Sequence, residues 1–175
     1  MADRGEVCFN AQVLSHILNR LFGRKPASVK PDPPLPSAET FPPSLEEIEQ
    51  RVLAIASAHG IPASDLSTFG RSKQDGTPHI EVNETCDYVS CERGSEFSRR
   101  STRDLDELFY WIFADATWSM ASRYELKHRR HGEDFRRQMF AKHLEILGAL
   151  SPPWAERHAA KYERILAEHP FNDSL

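Results

Sequence analysis

The stretch that decides the fold is DLDELFYWIFADATWSMASRYELKH, which runs from Asp104 to His128. Its middle, from Leu108 to Met120, is almost entirely apolar and aromatic. A strand of this length would be far too long, and the Leu, Met and Ala content favours a helix. A helix that is apolar on most of its circumference must be covered on several sides. The pattern therefore predicts the central core helix of a small domain, because a membrane span needs roughly 20 strongly apolar residues.

The residues that follow predict two more helices. One runs from Glu133 to about Leu150, after a break at His131-Gly132, and carries a wide apolar face. The other begins at Pro152-Pro153, since proline is favoured in a first helical turn, and ends near His169-Pro170. The central helix and these two together predict a three-helix C-terminal bundle.

The residues before the core helix predict one helix and a small sheet. Ser44 and Glu47 form a capping box, and Gly60 followed by Pro62 ends the helix that it opens. Residues 68–76 are read as a polar loop. Three short extended segments separated by turn residues then predict an antiparallel meander: His79–Val82, Asp87–Glu92 and Glu96–Ser101. The predicted fold class is α+β, with a three-stranded antiparallel sheet, one preceding helix and the three-helix bundle.

The N-terminal part has a different composition. Residues 9–22 place apolar side chains at helical spacing, which predicts an amphipathic helix. Seven prolines between residues 24 and 43 predict an extended linker. The predicted organisation is an amphipathic helix in 1–23, a Pro-rich linker in 24–43 and an α+β domain in 44–175. If the helix and the linker bind a partner, the chain would be an adaptor or regulatory module.

Composition narrows the function classes. The net charge of −4 argues against a dedicated nucleic-acid binder, for which a basic balance is expected. Three cysteines are too few for a disulfide framework, so a reducing compartment is favoured. The first apolar run is broken by polar residues and predicts no signal peptide. We therefore expect a cytoplasmic protein that neither spans a membrane nor binds nucleic acid directly.

No pattern predicts catalysis or a cofactor. The chain lacks a Gly-x-Ser-x-Gly elbow and a phosphate-cradling glycine loop. Glu125 and His128 have the helical spacing of carboxylate-bridged metal sites, but such sites need a second Glu-x-x-His, which is missing. A zinc site at Cys86, Cys91 and His79 would lack a fourth ligand. A metal-dependent enzyme that uses Glu125 and His128 remains an alternative, and the favoured prediction is a protein without enzymatic activity.

A dense charged cluster lies where the core helix turns into the next one. Counting outward from the turn places Glu125 roughly level with Arg136 and Arg137 on the facing helix, and Asp134 lies near a helix start, where a carboxylate is favoured. The cluster predicts ion pairs that lock this helical hairpin, formed by Glu125, Arg129, Asp134, Arg136 and Arg137. The alternative is a charged recognition surface for a partner.

From about Leu45 to Asp173 the chain resembles the bacterial family Immunity protein 63. The resemblance rests on the core helix and on short motifs around it: Glu92-Arg93-Gly94, Asp104–Leu108, Tyr110–Phe113, Ser119–Ala121, Tyr124–Leu126, His128-Arg129, Asp134–Arg137, Phe140, Trp154–Arg157 and Pro170-Phe171. It implies an antidote of a polymorphic toxin system, which protects its producer by binding a cognate protein toxin.

Such a protein works by occlusion and needs tight association more than chemistry. Carboxylates between residues 81 and 96 could face a basic, nuclease-type toxin. The candidate toxin-binding residues are Glu81, Glu84, Asp87, Glu92 and Glu96.

Overall fold

A computed structural model describes residues 41–173 of the chain. The predicted N-terminal helix, and the Pro-rich linker up to residue 40, lie outside the described residues. The described residues form four α-helices and a four-stranded mixed sheet, so the α+β class is confirmed. They divide into two compact units, residues 41–116 and residues 117–173. That residues 44–175 form one domain stays a prediction.

The first unit begins with helix α1, Leu45–Ala58. The Ser44 hydroxyl accepts a hydrogen bond from the Glu47 N–H at 3.2 Å, and the Glu47 carboxylate accepts one from the Ser44 N–H at 2.8 Å. The predicted capping box is therefore confirmed. Ile48, Val52 and Ala56 recur on one side of the helix and are buried, so this side faces the core of the unit.

The sheet has the strand order β1-β2-β3-β4, with β1 Thr68–Phe69, β2 Asp75–Val82, β3 Cys86–Glu92 and β4 Ser95–Thr102. The three predicted strands form the antiparallel meander β2-β3-β4. The prediction of a three-stranded antiparallel sheet was nevertheless wrong, because β1 pairs parallel with β2, in register Thr68 with His79. The sequence did not predict β1 because two residues show no periodicity, and β2, the strand that β1 pairs with, follows only after a turn.

The second helix, α2, is Leu105–His128, and its residues 105–116 belong to the first unit. Seven consecutive residues, from Leu108 to Ala114, are buried. Burial over two successive turns means that the helix is covered on several sides, as its sequence predicts. Tyr88 on β3 packs against Trp111, and its hydroxyl donates a hydrogen bond to Asp115 at 2.8 Å.

The second unit contains residues 117–128 of α2, helix α3 at Phe135–Leu150 and helix α4 at Pro152–Glu168. Asp134 caps α3 by accepting a hydrogen bond from the Arg136 N–H, so this helix begins two residues later than the sequence suggests. The Phe140 and Tyr162 rings stack with their centroids 3.8 Å apart. Both rings are buried, and Trp118, which is exposed on one side, packs against them at the edge of this core.

Candidate protein-interaction surface

Three of the five predicted toxin-binding carboxylates meet at one arginine. The Arg99 guanidinium on β4 lies 2.9 Å from Glu81, 2.8 Å from Asp87 and 2.7 Å from Glu96. His79 adjoins the group, with its Nε2 atom 3.0 Å from the Glu81 carboxylate. The sequence reading missed Arg99. Regular pairing counted outward from the Arg93-Gly94 turn would place Arg99 opposite Tyr88, on the other face of the sheet, so the sequence alone does not indicate this contact.

A β-bulge brings Glu96 and Arg99 onto the same face of the sheet. Ser90 pairs with Ser98, but the next residue, Cys91, pairs with Glu96, so Phe97 is an extra residue in β4. Residues three apart in a regular strand point to opposite faces, and one extra residue brings them to the same face. Arg99 also lies opposite Val89, on the face that carries Glu81 and Asp87. The bulge therefore completes the cluster.

Arg99 lowers the pKa of the carboxylates around it. Its hydrogen bonds are the main cause that lowers the pKa of Glu81 and the pKa of Glu96. Burial alone would raise the pKa of Asp87, but hydrogen bonds from Thr85, Ser101 and Arg99 outweigh it, and the pKa is lowered. The same contacts raise the pKa of Arg99. Three carboxylates and one guanidinium thus give this cluster a net negative charge near neutral pH.

The other two predicted residues lie apart from the cluster. Glu84 is exposed in the turn between β2 and β3. Glu92 is exposed at the end of β3, and its carboxylate lies 3.5 Å from the exposed Arg93 side chain. Ion pairs between exposed groups are weak, so Glu92 and Glu84 are both accessible to a partner. The structure therefore separates Arg99-bound carboxylates from accessible ones.

The two units differ in charge. Residues 41–116 contain fourteen Asp and Glu against seven Lys and Arg, which gives a net charge of −7. Residues 117–173 contain eight Asp and Glu against ten Lys and Arg, which gives +2. The mild negative charge of the whole chain therefore conceals a strongly acidic first unit, residues 41–116, which contains the sheet and is called the sheet unit below. Charge asymmetry of this kind favours binding to a partner of opposite sign.

All five residues of the predicted cluster near the helical hairpin form ion pairs. Both oxygens of the buried Glu125 carboxylate accept from Arg129, four residues along the same helix, at 2.8 and 2.9 Å. The Arg136 guanidinium binds Asp134, and Arg137 binds Asp173. Glu125 thus pairs within α2, because Arg129 lies one helical turn away, and its position level with Arg136 and Arg137 stays a prediction.

The C-terminal residues are held by the same arginines. Arg136 donates hydrogen bonds to the carbonyls of His169 and Pro170, and the Arg137 guanidinium lies 4.2 Å from the centre of the Phe171 ring. Asp134 accepts a further hydrogen bond, at 2.8 Å, from the Asn172 N–H. The cluster therefore fastens the end of the chain to the start of α3.

A cavity of about 320 Å³ opens beside this cluster within the second unit. Aromatic rings of Tyr124, Phe140 and Phe171 line it, together with charged side chains. These charges are paired with one another or with neighbours, as in the Lys142–Glu145 pair at 2.7 Å.

The alternatives that involve metals find no support in the described residues. Among residues 41–173, no three His, Cys, Asp or Glu side chains converge as a metal site. Cys86 and Cys91 lie five residues apart on one strand and therefore point to opposite faces of the sheet. Burial is the main cause that raises the pKa of Cys86 to about 11, so its thiol is not a ready nucleophile. None of the described helices has the length and apolar character needed to cross a bilayer.

The described residues form an α+β fold whose sheet carries an exposed charged face. Residues 83–164 match the family model described as Immunity protein 63. The match spans just under half of the chain, from the turn after β2 into α4, and confirms the resemblance there. The matched model describes a family of immunity proteins, for which a binding role rather than catalysis is expected. No curated protein and no solved structure matches the chain.

Proposed function

We propose that the protein is a cytoplasmic antidote that binds a cognate toxin and blocks it by occlusion, with the acidic sheet unit as the binding side. The observation that carries the proposal is the net charge of −7 on residues 41–116, in a chain whose residues 83–164 match an immunity family. A basic toxin is the partner of complementary charge. Nucleases are one such class, because they bind the phosphate backbone through Lys and Arg.

Charge serves this function in two ways. An acidic face attracts a basic partner over a distance comparable to the Debye length, which raises the association rate. Once the two are in contact, the antidote needs only to cover the site where the toxin binds its substrate. Contacts with Arg99 hold Glu81, Asp87 and Glu96 in position before a partner binds, so this part of the surface is organised in advance.

The structure indicates which carboxylates test the proposal cleanly. Reversing Glu81 or Asp87 would disturb the Arg99 cluster and with it the sheet. Glu84 and Glu92 are exposed and lie outside that cluster. The informative variant is therefore the double reversal Glu84→Lys and Glu92→Lys. The matched control is Glu156→Lys with Glu163→Lys, which makes the same charge change at exposed positions of α4.

An antidote is expected to be encoded beside the gene for its toxin. Both variants are compared with the unmodified chain against the purified product of that neighbouring toxin gene. We expect the Glu84/Glu92 reversal to slow association about tenfold at low salt and to weaken its salt dependence, since steering depends on charge. Co-expression with the toxin should then protect growth less well. The control should bind and protect like the original chain. Equal association rates for both variants would refute the acidic binding side, and absence of binding by the original chain would refute the antidote function.

A further inference from the structure

The outer edge of β4 has the features of a strand-docking site. β4 is the last strand in the order β1-β2-β3-β4, and among the described residues no strand pairs with its far side. Residues 95–101 are all exposed, and Thr102 is half-buried. A free edge presents a row of backbone N–H and C=O groups, which other chains can pair with unless the edge is protected.

The charged side chains that usually protect an edge are turned away from this one. The Arg99 guanidinium reaches back across β3 to Glu81 on β2. The Arg100 guanidinium lies over the opposite face, 4.7 Å from the centre of the Tyr88 ring and 4.8 Å from that of Trp111. Arg99 therefore covers one face of the sheet and Arg100 covers the other, which leaves the backbone between Ser98 and Thr102 accessible.

An exposed aromatic side chain stands beside this edge. Phe97, the extra residue of the bulge, is 63% exposed. Large exposed aromatic residues are common anchors at protein interfaces. The bulge also limits regular pairing to the residues that follow it, from Ser98 to Thr102. The edge thus combines a short run of free backbone groups with one apolar anchor.

We infer that β4 takes up an extended basic segment of the toxin as an additional strand, with Phe97 as the anchor beside it. This inference rests on the proposed function. Strand addition uses backbone hydrogen bonds for affinity and neighbouring side chains for specificity. Charge favours this occupant. A second copy of this chain would bring one unit of charge −7 against another, whereas a basic segment is attracted to the three carboxylates that surround Arg99.

Residue-resolved amide hydrogen exchange on the full chain, with and without the purified product of the neighbouring toxin gene, tests the inference. In a strand, successive N–H groups point alternately to the two sides. We expect slower exchange in the complex at alternate residues from Ser98 to Thr102. Unchanged exchange along β4 in a formed complex would overturn strand addition and leave the antidote function standing. Failure to form any complex would overturn both.

A side-chain variant gives an independent readout. Phe97→Ser should weaken binding of the same toxin at least tenfold with no loss of thermal stability, because the side chain is outside the core. The matched control is Leu126→Ser on α2, since Leu126 is 65% exposed. Equal toxin affinity of Phe97→Ser and the original chain would remove the anchor from the proposal. An equal loss of toxin affinity in Phe97→Ser and Leu126→Ser would show a general effect of exposed apolar residues. That result would also remove Phe97 as the anchor.

Discussion

Replacing Asp134 by Asn tests whether one ionised carboxylate fastens the end of the chain to α3. The side chain is buried and binds the Arg136 guanidinium at 2.6 Å. It also accepts hydrogen bonds from the N–H groups of Arg136 and Asn172. Asn has nearly the same shape and is itself a good N-cap residue. Asp134→Asn therefore removes the charge and leaves the helix cap largely intact.

The size of the effect follows from the pKa of Asp134. Burial would raise it, but hydrogen bonds from Arg136 and Asn172 outweigh burial and lower it from 3.8 to about 2. A folded-state pKa below the unfolded value stabilises the protein at pH values above the unfolded pKa. A shift of this size corresponds to about 2 kcal/mol at neutral pH. That stability is fully present above about pH 5 and is lost as the pH falls toward 2.

Urea unfolding at several pH values measures this contribution. We expect Asp134→Asn to lower the free energy of unfolding by about 2 kcal/mol at pH 7 and by progressively less below pH 4. Glu156→Gln, at an exposed position of α4, is the control and should change stability by less than about 0.5 kcal/mol. A loss of unfolding free energy that is equal at pH 7 and pH 3 would refute an ionic contribution. No loss at either pH would show that Asp134 does not fasten the end of the chain to α3.

Two further predictions concern groups on the two units. Burial, and then Lys161 and Arg157, lower the pKa of His158 to about 4, so the native state loses stability as the pH falls from 6.5 to 4. Thermal unfolding should show this loss, and His158→Gln should flatten it; an unchanged pH profile in the variant would contradict the assignment. Arg99→Met leaves the buried Asp87 without its guanidinium and should cost about 2 kcal/mol in urea unfolding. Arg93, whose side chain is 89% exposed, is the matched control, and Arg93→Met should lower the free energy of unfolding by less than about 0.5 kcal/mol. Equal losses of unfolding free energy in the two variants would show that the Arg99 cluster contributes nothing to stability.

The elements that the sequence predicts well are those with strong local signals. The Ser44 capping box and the apolar stretch around Leu108 both act within one helix, so their consequences can be read from spacing alone. Strand β1 was missed because two residues carry no pattern and are held by pairing with β2. Asp75-Gly76 resembles a turn, yet it lies inside β2, at a point where the register shifts.

The candidate site was predicted in composition and missed in arrangement. The acidic residues 81–96 are visible in the sequence, but their common partner Arg99 depends on the register of three strands and on a bulge. Asp173 pairs with Arg137 across 36 residues of chain, a separation at which sequence spacing gives no guidance. Long-range pairing and side-chain reach, not local propensity, decide these contacts.

The bulge at Phe97 has a consequence for how this surface can vary among related chains. A bulge absorbs one residue without changing the side to which its neighbours point, because Cys91 still faces Glu96 and Ser90 still faces Ser98. A chain that lacks Phe97 would close the ladder and keep every other side chain on its present side. Insertion or loss of one residue here can therefore add or remove an exposed aromatic ring without changing the buried packing of the sheet. The residues that a partner contacts can then change while the fold stays the same.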